Sequence, residues 1–156
     1  MIKIRKARLK DIPSMFPLWL DLMKQHEKID HFHYELGKGS KEIFKKWIRS
    51  NIYSKNALYL VAEDNNKIVG YIGGRIEKRP LCFKIKENGY VLAAVVSRKY
   101  QNKGIGKKLT NEMLAWFKTK KVKFVELHAN SKNKKGILAW KKMGFKENKK
   151  IMDKWL

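Results

Sequence analysis

Ile2-Lys3-Ile4-Arg5 alternates apolar and basic side chains, and residues 2–7 are predicted to be a short strand. Ile12, Met15, Phe16, Trp19, Leu22, Met23 and His26 follow at spacings of 3, 1, 3, 3, 1 and 3, one face of a helix. Asp11 stands where a cap belongs, and Pro13 falls in the first turn, where a missing N–H costs nothing. His26 to Ser40 is polar, contains Gly37 and Gly39, and is expected to be loop. A second helix is expected over about residues 41–51, with Ile43, Phe44, Trp47 and Ile48 as its apolar positions.

The next apolar block, Ala57–Glu63, predicts a strand. Asn65 and Asn66 suit a tight hairpin with positive φ angles, leading into a partner strand over Lys67–Ile76. Gly70, Gly73 and Gly74 in that partner point to a bulge or to close approach by another element. Residues 77–89 form a basic connection. Tyr90–Val96 is a nearly continuous apolar run, as in a central strand buried on both faces. Gly104 to about Lys120 is the strongest helix, with Ile105, Leu109, Met113, Trp116 and Phe117 as its buried stripe. Lys123–Ala129 alternates again: Val125, Leu127 and Ala129 on one face, Phe124, Glu126 and His128 on the other. A short helix is expected over about Lys134–Met143, ended by Gly144. Phe145–Leu156 can supply one or two edge strands. A strand–helix–strand crossover over residues 90–129 makes the class α/β or α+β with a mixed sheet, and no linker or repeat divides residues 1–156 into more than one domain.

Composition narrows the function. With 44% hydrophobic residues, 156 residues can build a core. No run approaches the roughly 18 apolar residues of a membrane span, and the N-terminus lacks the apolar core of a signal peptide. Cys82 is the only cysteine, which excludes an internal disulfide and a Cys-rich zinc site, so a reduced, cytoplasmic protein is expected. Lys+Arg 37 against Asp+Glu 14 leaves a net charge of +23. Such a balance suits polyanionic company, whether phosphorylated cofactor, nucleic acid or ribosome, or reflects the lysine-rich usage of a thermophile or an AT-rich genome.

The most informative stretch is Val95-Val96-Ser97-Arg98-Lys99-Tyr100-Gln101-Asn102-Lys103-Gly104-Ile105-Gly106-Lys107-Lys108-Leu109. A buried strand ends and a two-glycine loop opens an amphipathic helix. The first N–H groups of a helix have no partners of their own and, with the helix dipole, form an anion site. Gly104 and Gly106 carry no side chain to hold a phosphate away, and Lys103, Lys107 and Lys108 add charge. Neither the Walker A spacing nor G-x-G-x-x-G is present.

Gln101-x-x-Gly104-x-Gly106 resembles the acetyl-CoA loop of the Gcn5-related N-acetyltransferases. Ile4-Arg5-x-Ala7 followed by Asp11, Ile68-Val69-Gly70-Tyr71-Ile72, and Asn133-x-x-Gly136-x-x-Ala139-Trp140-x-x-x-Gly144-Phe145 resemble further family segments, in order along the whole chain. The resemblance implies a mixed, mostly antiparallel sheet of six to seven strands, splayed between the fourth and fifth, with about four helices. Acetyl-CoA would lie in the splay as cosubstrate, with no metal. Val95 and Val96 would offer backbone groups to the acetyl and pantetheine portions. Gln101, Asn102, Lys103, Gly104, Ile105, Gly106 and Lys107 would hold the pyrophosphate. Asn133 would bond the pantetheine arm, and Lys141 or Lys142 would reach the 3′-phosphate.

Two departures from the family pattern bear on proton transfer. Leu92 and Ala93 stand where acidic residues are usual, and Trp140 replaces a Tyr; an indole is no acid, so it packs along the cofactor or in the core. His128 lies five residues before Asn133, where family members that acetylate protein N-termini commonly have a Glu base. Imidazole, with an ordinary pKa near 6.5, suits that task. Glu126, on the same strand face, is placed to orient His128 or to serve through a water. The stretch His26 to Glu35 is rich in His and acids without a recognised zinc spacing, and the resemblance makes it an acceptor-contacting loop. The acceptor is then a primary amine on a protein N-terminus, a lysine or a small molecule. Residues 98–150 hold 17 Lys+Arg and three acids, so non-specific contact with nucleic acid or ribosome is the alternative: a basic binding module that keeps the fold without catalysis. A homodimer remains open.

Overall fold

The computed structural model describes residues 1–156. Its sheet has five strands in sequential order: β1 (Lys3–Lys6), β2 (Ala57–Asp64), β3 (Lys67–Lys78), β4 (Glu87–Val96) and β5 (Val125–Glu126). The first three junctions are antiparallel and the last is parallel. The helices are α1 (Ile12–Ile29), α2 (His31–Tyr34), α3 (Ser40–Asn51), α4 (Ile105–Thr119) and α5 (Lys134–Lys142).

Alternation along β2 divides the core. Tyr59 and Val61 point to α1 and α3, where Met15, Phe44 and Ile48 close one cluster with Tyr71 and Val95. Leu58, Leu60 and Ala62 point the other way, to Leu109, Met113 and Phe117 of α4. Asn65 and Asn66 both adopt positive φ, 46° and 63°, as the hairpin requires. The glycines of β3 serve close approach: a Cβ on Gly74 would fall 2.7 Å from Met113 Sδ, and one on Gly73 2.6 Å from the Tyr59 ring.

The mixed, mostly antiparallel class is as expected, with corrections in the count. There are five strands rather than six or seven, and five helices rather than four. Phe145–Leu156 forms no strand; five consecutive polar residues, Lys146–Lys150, carry no apolar alternation, and side-chain contacts hold the tail instead. The predicted strand over residues 123–129 shrinks to Val125–Glu126 because the chain then leaves β4. The predicted loop from His26 is helical to Ile29 and again over His31–Tyr34, since His31 faces Glu27 and Glu35 one turn away on either side. Asp11 does not cap α1 with its side chain. It is buried and binds Arg5 at 2.7 and 3.0 Å, and it also accepts from the Arg8 N–H at 2.8 Å.

Candidate active site

The splay is visible in the pairing. β4 meets β5 only through Gly89↔Val125 and Tyr90↔Glu126, with the Gly89 N–H also reaching the Phe124 carbonyl at 3.0 Å. From Val91 to Val96 the β5 side of β4 is open. Within that stretch the register against β3 slips: Gly73 faces Ala93 and Gly74 faces Val91, which leaves Leu92 as an extra residue. Such a bulge bends a strand and re-aims its backbone. The Ser97 N–H donates to the Val69 carbonyl at 2.8 Å, so antiparallel alternation turns the backbone groups of Val96 into the gap and those of Val95 toward β3.

The loop after β4 ends at the mouth of the gap. Asn102 and Gly104 both have positive φ, 61° and 77°, so the backbone curls around a concavity and Gly104 caps α4 in the left-handed region. The first return bond of the helix runs from the Lys108 N–H to the Gly104 carbonyl at 3.0 Å. The N–H groups of residues 102 to 107 have no acceptor in the protein. Nothing stands within 4 Å of a Cβ placed on Gly104, and only Val96 Cγ2, at 3.9 Å, is near one on Gly106. Six orphan donors, a helix N-terminus and an empty cradle fit a diphosphate. Lys103 lies over the Tyr100 ring at 5.3 Å, and the Tyr100 hydroxyl donates to Asp64 at 3.1 Å, tying the loop to the β2–β3 hairpin. Gln101 folds back, its Nε2 donating to the Val96 carbonyl at 2.9 Å.

On the far lip, Asn133 Oδ1 accepts from the Gly136 N–H at 2.9 Å and caps α5, which leaves its Nδ2 free. Trp140 is half-buried against the α4-side cluster and meets Phe145 edge-on at 5.3 Å. Lys141 pairs with Glu147 at 3.0 Å, which holds the Glu147 carboxyl below its ordinary range.

His128 is exposed beyond the end of β5 rather than on a strand face, while Val125 and Leu127 pack toward α4. Its ring stands edge-on to Tyr90 at 5.2 Å. Glu126 does not bond His128; it accepts from Lys149 Nζ at 2.6 Å and from Asn88 Nδ2 at 3.3 Å. Tyr90 escaped notice in the sequence because it begins an apolar run. Burial, then Glu77, push its phenol above the ordinary value, so it stays protonated. Arg75 pairs with Glu77 at 2.6 Å and lies over the Tyr90 ring at 6.0 Å. The stretch before α3 does reach this region: Asp30, at the α1–α2 break, accepts from Asn130 Nδ2 at 2.6 Å, and Tyr34 meets the half-buried His26 at 4.7 Å. The Asp30–Asn130 bond spans 100 residues of sequence, a partnership no local pattern could announce.

The sequence signature of the Acetyltransferase (GNAT) family matches residues 18–145. An uncharacterized N-acetyltransferase of Methanocaldococcus jannaschii is 27% identical over 159 residues; the alignment covers 98% of this chain, and the chain spans 64% of that curated relative. Among solved structures, a mutant of a Bacillus halodurans protein superposes with a TM-score of 0.85 at 19% identity, covering 99% of both chains. A predicted acetyltransferase of Clostridium acetobutylicum, solved with acetyl-CoA, superposes with a TM-score of 0.76 at 20% identity over 98% of this chain and 95% of that one.

Proposed function

The chain belongs to the GNAT acetyltransferase family, and from that membership we propose that it is an acetyl-CoA-dependent N-acetyltransferase acting on a primary amine by direct attack in a ternary complex. The observation that carries this reading is the run of unpartnered N–H groups at residues 102 to 107, standing at the mouth of the β4–β5 gap. Acetyl-CoA supplies the activated acetyl thioester. The loop from Gln101 to Lys107 binds its diphosphate. The Val96 backbone and Asn133 Nδ2 line opposite lips of the gap and hold the pantetheine arm, with Trp140 behind it.

The amine arrives protonated and must lose a proton before or during attack on the thioester carbon. His128, exposed and steadied by Tyr90, takes that proton directly or through one water. Glu126 serves less directly: it draws cationic groups to this lip, as it draws the Lys149 ammonium. The departing thiolate takes a proton from solvent or the one that the attacking nitrogen sheds as the tetrahedral adduct collapses to the amide, since the Trp140 indole is no acid.

Thiol release from acetyl-CoA, measured against peptides, polyamines and aminoglycosides, tests the reading. Acceptor-dependent release with at least one amine is the expected result. Tight acetyl-CoA binding with no release against the whole panel would instead favour a non-catalytic module.

A further inference from the structure

Helix α4 begins at the acetyl-CoA loop and ends, about 22 Å away at 1.5 Å per residue, beside a second cleft. That cleft, of about 430 Å³, lies under the β1–β2 edge between the C-terminal ends of α3 and α4. Lys6 enters it from the end of β1, Arg8 from the connection that follows, Lys55 from the turn before β2, and Lys120 from the end of α4. None of these four cations makes an ion pair, and no carboxylate lines the cleft. The nearby acids, Asp11 and Glu63, are already held by Arg5. Lys120 lies at the C-terminus of α4 and complements the dipole there, but Lys6, Arg8 and Lys55 have no such reason to converge.

Three aromatic residues line the cleft: Tyr59, buried at its floor, and two within reach of a ligand, Tyr53, 71% exposed, and the half-buried Trp116, over whose ring Lys120 lies at 5.8 Å. Unpaired cations that track phosphates, beside aromatic faces on which bases stack, are the physical recipe for holding a single nucleic-acid strand. We propose that this cleft binds the phosphodiester backbone of a single-stranded nucleic acid, at a site separate from the acetyl-CoA loop.

The test measures fluorescence anisotropy of labelled 20-nucleotide oligo(rU), oligo(dT) and a duplex of equal length with the full chain over a range of salt. Both single strands are expected to bind more tightly than the duplex. The variant K6A/R8A/K55A/K120A should bind them at least tenfold more weakly. Its salt slope should fall by about 3, from four lost phosphate contacts at about 0.7 each. Y53A, an exposed change, should weaken single strands about fivefold and spare the duplex. All five positions are exposed, so the fold should persist, and a melting-temperature rise with acetyl-CoA equal to that of the unaltered chain checks this. A control variant, K24A/K28A/K38A/K84A, removes the same charge elsewhere. Equal losses in the two quadruple variants would overturn the proposal, as would preference for duplex or the absence of binding at low salt. Unequal response of oligo(rU) and oligo(dT) would identify which strand the cleft accepts. None of these results depends on whether the chain transfers acetyl groups.

Discussion

His128 and Tyr90 meet edge to face, ring centres 5.2 Å apart at 88°, where β4 and β5 begin to separate. The contact fixes an otherwise free imidazole on the lip of the gap. General-base catalysis is worth roughly 10²–10⁴ in rate. H128A should therefore lower kcat/KM at least tenfold and leave acetyl-CoA affinity unchanged, and the acid limb of the pH–rate profile should disappear. Steady-state kinetics with calorimetry checks both halves. An unaltered rate and profile would pass the role to solvent.

Gly104 is the most exacting position of the loop. It adopts φ 77°, where L side chains are strained, and it faces open space. G104D should reduce acetyl-CoA affinity by at least about tenfold in calorimetry, because bulk and negative charge then occupy a site built for an anion. G104A should lose less, from backbone strain alone.

Arg5 and Asp11 link the start of the sheet to the start of α1. The Arg5 guanidinium, by hydrogen bond and charge, holds the Asp11 carboxyl below its ordinary value. A lowered carboxyl contributes stability that is present above the unfolded pKa of about 3.9 and is lost as pH falls through the folded value. D11N should cost about 2 kcal/mol at neutral pH in denaturant unfolding. The difference from the unaltered chain should shrink below about pH 4.

His33 sits between two carboxylates, Nδ1 at 2.9 Å from Asp30 and Nε2 at 2.8 Å from Asp153. Asp30, then Asp153, raise its pKa above the ordinary imidazole value. The protonated form ties α2 to the C-terminal tail, beside the contact of Trp155 with Phe32. A raised pKa gives a contribution that is complete below about pH 6.5 and fades as pH rises through the folded value. NMR order parameters of the backbone over residues 149–156 should fall across that window, and in H33A they should be low at every pH.

The loop and its helix were legible because both signals are local: two glycines, a capped amphipathic stripe and an apolar strand lie within twenty residues. The asparagine hairpin was legible for the same reason. Sequence patterns could not show that Leu92 is an extra residue in β4, because a bulge is a property of two strands in register. Nor could they show Lys149 on Glu126, Asn130 on Asp30 or Asp153 on His33, all contacts between distant segments. The tail misled because its position beside β5 is held by charge and by one tryptophan rather than by a backbone ladder.

The two-residue seam between β4 and β5 has a mechanical meaning. Everything after α4 – β5, α5 and the tail – hangs from the body as a wing on a short hinge, joined chiefly by side chains. Segments fastened so lightly open at a free energy well below that of global unfolding. A ligand that grips both lips at once turns the wing into part of the body, and its binding energy is then counted as folding stability, growing with the logarithm of its concentration above Kd.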